Sequence, residues 1–287
     1  MRQAAAPTCP RGRSHRGSPR SPAGRWWWRT APARAATSGW TSSRRQRRTD
    51  TRSAWGRPRT SPSTRAFTPS MPFDPLRDLA PITTIAQQPN LLVVRRAATW
   101  RDMPSLMNDA RSRPSRVSVG HPGVGTGGHL AGEMLAADAR VDMLMVPYPG
   151  VPQALADLLG GRVDLFFANP LAVQGMLPSG ELRALAVTSL RRMSIMPEVP
   201  TVAELGYPGF EALNWVGVVA PAGTPSQIVL TLNERIRQVL RHPATVAKLG
   251  TDGSELMGST PDEFATFLRS EIEKWGRVIR AARISIN

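Results

Sequence analysis

The residues with the clearest chemistry lie at positions 118–134, a run reading Ser-Val-Gly-His-Pro-Gly-Val-Gly-Thr-Gly-Gly-His-Leu-Ala-Gly-Glu-Met. A short apolar strand, a turn holding Gly123, Gly125, Gly127 and Gly128, and an amphipathic helix are expected in that order. Such a junction leaves the first N–H groups of the helix without backbone partners and sets the positive end of its dipole beside them. Both features suit an anion. A tight turn between two core elements would use the same residues, so spacing alone leaves the anion site and the plain turn as alternatives.

Holding that turn requires elements on either side, and the rest of the body supplies an alternation of them. Residues 82–86 are a short apolar run after the punctuation of Pro75 and Pro81, and 90–94 read as a buried strand. Met103, Leu106, Met107 and Ala110 recur at helical spacing, and the pattern stops near Pro114. After the glycine turn come a strand at 141–146, a turn through Tyr148 and Gly150, and a helix at 151–159 stopped by Gly160-Gly161. A wholly apolar strand at 163–167 ends at Ala168-Asn169-Pro170, and another strand follows at 182–188. Strands alternating with helices predict a parallel, doubly wound sheet with both faces covered. A Pro/Gly-rich connection at 197–209 leads to a strand at 213–220 and helices at 226–240 and 244–249. A last helix has Thr260 as N-cap, Glu263 completing a capping box, and a stripe of Phe264, Phe267, Leu268, Ile272 and Trp275. The helical C-terminal part predicts a second structural unit, with a chain crossing near residue 210.

The charge is distributed unevenly. The chain has 287 residues and a formal net charge of +16. Sixteen arginines fall in residues 1–70, against Asp50 as their one acidic residue, while the other 217 residues carry 21 basic and 20 acidic side chains. A near-neutral body points away from polyanionic partners, so no nucleic acid is expected on it. Cys9 is the one cysteine, which rules out an intrachain disulfide and a cysteine metal site. No apolar run approaches the roughly 18 residues of a membrane helix.

Residues 1–70 contain no Leu, Ile, Val or Tyr yet hold five of the eight Trp. A segment without aliphatics cannot offset its ordering entropy by burial, so disorder is expected there. No 7–15-residue apolar stretch follows Arg2, so no export signal is recognised and retention in the cytoplasm is a possible outcome. One reading is a basic arm for a nucleic acid or a membrane surface, densest at Arg44, Arg45, Arg47 and Arg48. The other is an out-of-frame translation: shifting the frame by two bases yields coherent strand, glycine-turn and helix patterns. On that reading the true frame resumes near Ser70-Met71.

The body resembles the substrate-binding receptors of tripartite tricarboxylate transporters, the Bug-type solute receptors. The resemblance rests on Phe73-Asp74-Pro75, Asp78-Leu79-Ala80-Pro81, Gly125-Thr126, His129-Leu130-Ala131-Gly132-Glu133 and Val146-Pro147-Tyr148 with Gly150. Asp157 to Gly161, Leu182 to Thr188, Pro197 to Glu204, Ala220 to Pro225 and Glu273-Lys274-Trp275 complete it. The shifted frame of residues 1–51 also resembles the N-terminal part of such a receptor, including its Pro-Gly-Gly loop and a Pro-Asp-Gly-Tyr-Thr segment.

This resemblance implies an α/β fold of the type II periplasmic-binding-protein kind, two doubly wound lobes around a ligand cleft. Residues 91–210 would be one complete lobe, and residues 71–90 with 211–287 the remnant of an incomplete first lobe. It implies a small organic acid as ligand, permease subunits as partners, a periplasmic location and a monomer, with no cofactor and no metal. By residue-wise carry-over the ligand-binding positions are Gly125, Thr126, Gly127 and His129 on one wall, Tyr148 and Gly150 on a second turn, and Asn169. Backbone N–H groups and a hydroxyl would receive the carboxylate, because hydrogen bonds to a charged acceptor are about twice as strong as neutral ones. For His129 a structural role, and for Tyr148 plain packing, stand as the alternatives. Ala168 stands where family members often carry an acid, which disfavours an amine-bearing ligand. A hydrolase on the same fold is the other reading. The four histidines show no metal spacing, and neither a nucleophile elbow nor a carboxylate pair stands out, so no catalytic residue is assigned. With half the ligand loops out of frame, weak or absent binding is expected of this chain.

Overall fold

A computed structural model describes residues 73–250 and 253–284. The disorder and the basic arm expected in residues 1–70, and Cys9 with them, lie outside the described residues.

Among the described residues, eight strands form two sheets. β1 (Leu79–Pro89), β7 (Leu213–Pro221) and the two-residue β8 (Glu255–Leu256) make a three-stranded antiparallel sheet in the order β7-β1-β8. β2 (Leu91–Arg95), β3 (Ser118–His121), β4 (Leu144–Pro147), β5 (Leu165–Ala168) and β6 (Leu182–Val187) make a five-stranded sheet in the order β4-β3-β5-β2-β6. Asn90 alone separates β1 from β2, and β7 follows β6 through the long connection, so the chain crosses between the sheets twice.

The helices are α1 (Met103–Ser112), α2 (Gly127–Ala139), α3 (Val151–Leu159), α4 (Pro170–Val173), α5 (Ser226–Arg241), α6 (Pro243–Leu249) and α7 (Pro261–Ala281). Side chains alternate across a strand, and the five-stranded sheet is covered on both faces. Leu92, Val94, Leu165 and Phe167 join α1 and α2 in one core, while Leu91, Val93, Phe166 and Ala168 join α3 in the other. That double burial is why β2 and β5 read as unbroken apolar runs.

Two expectations need correction. The five-stranded sheet is mixed, not parallel: β3 pairs parallel with β4 and β5, but β2 runs antiparallel to both β5 and β6. The reason is the crossing at Asn90, which brings β2 in directly from the other sheet without a helix to turn the chain around. β1 is also longer than the apolar run at 82–86. Its polar Gln87 and Gln88 stay in register with Trp215 and Asn214 of β7, and irregularities between Pro81 and Thr83 and between Thr84 and Ala86 absorb the proline.

The C-terminal helix spans both regions. The capping box of α7 forms as expected, with Thr260 accepting from the Glu263 N–H and Glu263 accepting from the Thr260 N–H. Phe264 and Phe267 meet the edge of Trp215 on β7, at ring-centroid distances of 5.8 and 5.4 Å, while Trp275 and Ile279 lie in the core of the five-stranded sheet. Between them the buried Glu271 carboxylate accepts from the indoles of Trp215 at 3.2 Å and Trp275 at 2.9 Å and pairs with Lys274. A buried charge needs that full set of partners to be tolerable.

Candidate functional site

β3, β4 and β5 run parallel, with Gly120 opposite Phe166 and His121 opposite Pro147. Their C-terminal ends are therefore level, and all three predicted loops leave the same edge of the sheet: the glycine turn after β3, Tyr148 and Gly150 after β4, Asn169 after β5. This is the edge at which open α/β sheets bind ligands.

The glycine turn is strained in a way only glycine accepts, with φ of 119° at Gly123 and 77° at Gly125. It ends at Thr126, the N-cap of α2, which makes no side-chain cap bond. Gly127 and Gly128 then permit close packing. A Cβ at Gly127 would overlap the Asn214 side-chain oxygen, and one at Gly128 would lie 2.9 Å from the Phe167 carbonyl. The start of α2 is thus pressed against the end of β5 on one side and against a side chain of β7 on the other.

Asn214 belongs to a cluster of amides at the chain crossings. Its Nδ2 donates to Asn90 Oδ1 at 2.8 Å, and Asn90 donates through Nδ2 to the Ala212 carbonyl at 3.4 Å. The Asn90 N–H donates to Thr188 Oγ1 at 2.8 Å, and the Thr188 hydroxyl donates to the Ala212 carbonyl at 2.6 Å. Asn169 caps α4, accepting from the Leu171 N–H at 2.9 Å, and its Nδ2 donates to Gln88 Oε1 on β1. Two of the predicted positions, Gly127 and Asn169, are therefore drawn to residues of the other sheet.

The other predicted positions make internal contacts. The Gly125 N–H donates to His129 Nδ1 at 3.1 Å, and the Thr126 hydroxyl donates to the Gly123 carbonyl at 2.7 Å. Tyr148 packs its ring beside Gly120, and its hydroxyl donates to Asp157 at 2.9 Å. Burial and that hydrogen bond push the phenol up, while Arg162, bonded to the same carboxylate at 2.8 Å, and Tyr148 hold Asp157 below its usual range. Gly150 is the N-cap of α3. The donors expected from Gly125, Thr126 and Tyr148 are thus already engaged within the fold. What faces the crossings is the first turn of α2 with the carboxamides of Asn169 and Asn214.

Sequence reasoning missed Gln88, Asn90, Thr188 and Asn214, although the polar run Gln87-Gln88-Pro89-Asn90 between two apolar strands is a visible signal. It also missed His121. That ring is 1% exposed, its Nδ1 has no partner among the described residues, and it stacks on His129 with centroids 4.1 Å apart. Burial and the neighbouring His129 lower it to about 4. His129 is 3% exposed, and its Nε2 lies 3.4 Å from Glu133 Oε1. Among the described residues no group of three His, Cys, Asp or Glu is placed to hold a metal ion.

Two sheets with their helices, joined by two adjacent crossings with loops gathered there, define a protein of the periplasmic-binding-protein kind, as in the similar structure of periplasmic binding protein BugD, at a TM-score of 0.67 and 27% identity over 78% of this chain and 76% of that chain. Within that class the chain belongs to the tripartite tricarboxylate transporter family of receptors, whose family model matches residues 58–284. It is 40% identical over 224 residues to a UPF0065 protein from the tcbD-tcbE intergenic region of Pseudomonas sp. strain P51, covering 78% of this chain and 67% of that one. Among solved structures it is similar to R. palustris Rpa4515 with adipate, at a TM-score of 0.69 and 35% identity over 78% of this chain and 75% of that chain. It is also similar to MatC from Rhodopseudomonas palustris with bound malate, at a TM-score of 0.65 and 27% identity over 76% and 75%. The match spans about two thirds of the length of that UPF0065 protein and of Protein BugT from Bordetella pertussis.

Proposed function

We propose that this chain is a solute receptor for a small organic acid, captured as its carboxylate in the periplasm and passed, by a monomer, to permease subunits of a tripartite transporter. Residues 91–210 would form one lobe, and residues 71–90 with 211–287 part of the other. The carboxylate would meet the first turn of α2, Gly127 and Gly128, with Asn169 and Asn214 beside it. The observation that carries this reading is the convergence of those residues at the chain crossings. It gains weight because Rpa4515 and MatC, built on the same fold, are seen with adipate and malate. Ala168 adjoins Asn169 with no acid to receive an amine, which favours plain dicarboxylates over amino acids. Neutral donors suffice, since an anion needs convergent hydrogen bonds more than a formal counter-charge. The expected chemistry is capture without turnover.

Titration calorimetry with adipate, malate, an acidic amino acid and an aromatic carboxylate tests this, run beside a chain translated in the shifted frame over residues 1–69. The frame-corrected chain should bind a dicarboxylate and gain melting temperature in proportion to its saturation. The 287-residue chain should bind the same acid far more weakly. Equal micromolar binding by both would refute the expected impairment, and product formation from an ester or amide would favour the hydrolase reading.

A further inference from the structure

The Asn214 carboxamide meets the first turn of α2 with a particular atom, and the chain crossings fix which one. A Cβ at Gly127 would overlap Asn214 Oδ1 and stand 3.9 Å from its Nδ2, so the oxygen is the atom turned to the helix. Nδ2 is turned the other way and donates to Asn90 Oδ1 at 2.8 Å. Asn90 is 3% exposed, and its own orientation is set: its Nδ2 donates to the Ala212 carbonyl at 3.4 Å, and a carbonyl only accepts. Turning Asn214 over would set two amide oxygens face to face and leave the buried Asn90 acceptor unmet. The Asn214 oxygen itself accepts no hydrogen bond among the described residues. Beside it, the N–H groups of Gly127 and Gly128 have no backbone acceptor among the described residues.

A carboxylate on those N–H groups brings its lone pairs up to an oxygen that carries lone pairs of its own. The contact is repulsive unless the ligand places a hydrogen between the two. We propose that Asn214 is a specificity-determining residue, whose oxygen selects an acid bearing a hydroxyl on the carbon next to its carboxylate, a 2-hydroxy acid. The carboxylate meets Gly127 and Gly128, which rests on the reading given under Proposed function, and the hydroxyl donates to Asn214 Oδ1. An acid without that donor leaves the oxygen unmet, and a site built to pair a polar group rejects the analogue lacking it. An amine in the same place would arrive as an ammonium ion, and a charge taken out of water needs an opposite charge to hold it. The cluster supplies none. Gln88, opposite Asn214 across the sheet, is neutral and accepts from Asn169 Nδ2; Asn90 and Thr188 are neutral too, and Ala168 offers no acid. A hydroxyl is the donor that these groups accommodate.

Succinate, malate and aspartate test this directly. They share one carbon skeleton and differ in a single substituent beside a carboxylate: hydrogen, hydroxyl or ammonium. Each is titrated into the full 287-residue chain labelled with 15N, and into the frame-corrected chain beside it, with affinity read from the shifts of the Gly127 and Gly128 amides. One enantiomer of malate should bind about tenfold more tightly than succinate, and aspartate should bind least. Asn214→Ala removes the oxygen and should lower malate to the level of succinate without weakening succinate. Asn214→Asp places a negative charge there and should move aspartate ahead of malate. Both variants weakening all three acids by the same factor would make Asn214 merely structural and overturn the proposal. Succinate matching malate in the unaltered chain would also overturn it, and would leave the carboxylate reading standing. Binding of none of the three to either chain would remove the carboxylate reading, and the selection with it.

Discussion

The five-stranded and three-stranded sheets are joined by the same two crossings but are held together by different means. The first is buried on both faces, with Leu91 to Val94 fully enclosed and helices on either side. The second gathers a small apolar cluster, Ile82, Val218, Ala220 and Val229, among the described residues. Phe264 of α7 covers Gly217 of β7 from one side, and polar groups bridge the segments around the cluster. Asn233 of α5 donates to the carbonyls of Ile82 at 2.8 Å and Ser259 at 2.7 Å, and the Thr83 hydroxyl donates to the Ser259 carbonyl at 2.7 Å. Apolar burial is non-directional and accumulates with area, whereas a buried polar group contributes only while its partner is in place. The first region should therefore resist perturbation by mass of contacts, and the second should fail when a single bond is lost.

The largest expected effect tests the apolar side of that comparison. Phe166, 1% exposed, lies in the core shared with α3. Phe166→Ala should cost about 3–5 kcal/mol, read as a shift in urea midpoint of the main transition. Ile82→Ala should instead shift an earlier transition, followed by hydrogen exchange in β1 and β7, and leave the main midpoint in place. One transition moved equally by both substitutions would erase the difference between the two regions.

The next effect concerns a titrating group inside the better-packed region. His121 is held near 4 in the folded chain, against 6.5 when exposed. The neutral ring is thus the form the fold favours. Its stability contribution is fully present above pH 6.5 and is lost as pH falls from 6.5 toward 4, up to about 3 kcal/mol. His121→Phe should remove that acid limb from the main transition while leaving the transition of the three-stranded sheet unchanged. An unaltered pH profile in the variant would show that the ring does not titrate with unfolding.

Legibility in the sequence divides along similar lines. The stripe and capping box of α7 and the runs of β2 and β5 were readable because periodicity and local hydrogen-bonding residues decide them. The direction of β2 was not, because it depends on where the chain came from at Asn90 rather than on Leu91 to Val94 themselves. At the candidate site the glycine turn was legible from composition, and its position at a strand end followed. Which donors face outward was not. The Gly125 N–H and the hydroxyls of Thr126 and Tyr148 are each satisfied by a side chain or carbonyl that only folding brings near. Asn214 and Gln88 escaped notice because their meaning lies in contacts with Gly127 and Asn169, residues from the other sheet.

The smallest expected effect bears on the polar side of the comparison. Asn233 is 5% exposed and satisfies two carbonyls from separate segments, so it joins β1 to the approach to α7. Asn233→Leu keeps the same branching and number of heavy atoms and adds apolar surface, but leaves both carbonyls facing a methyl group; the expected loss is about 1–3 kcal/mol. Ile82→Val removes a single methylene from the apolar cluster beside it, for about 1 kcal/mol. If buried polar bonds hold this sheet together, the asparagine substitution must be the costlier of the two, measured as the lower of the two hydrogen-exchange opening energies for β1 amides. In the five-stranded sheet, where apolar contacts dominate, the order of two such substitutions would be set by volume alone. Asn233→Leu proving the milder would mean that the apolar cluster around Ile82 already suffices, and the two sheets would differ in extent and not in kind.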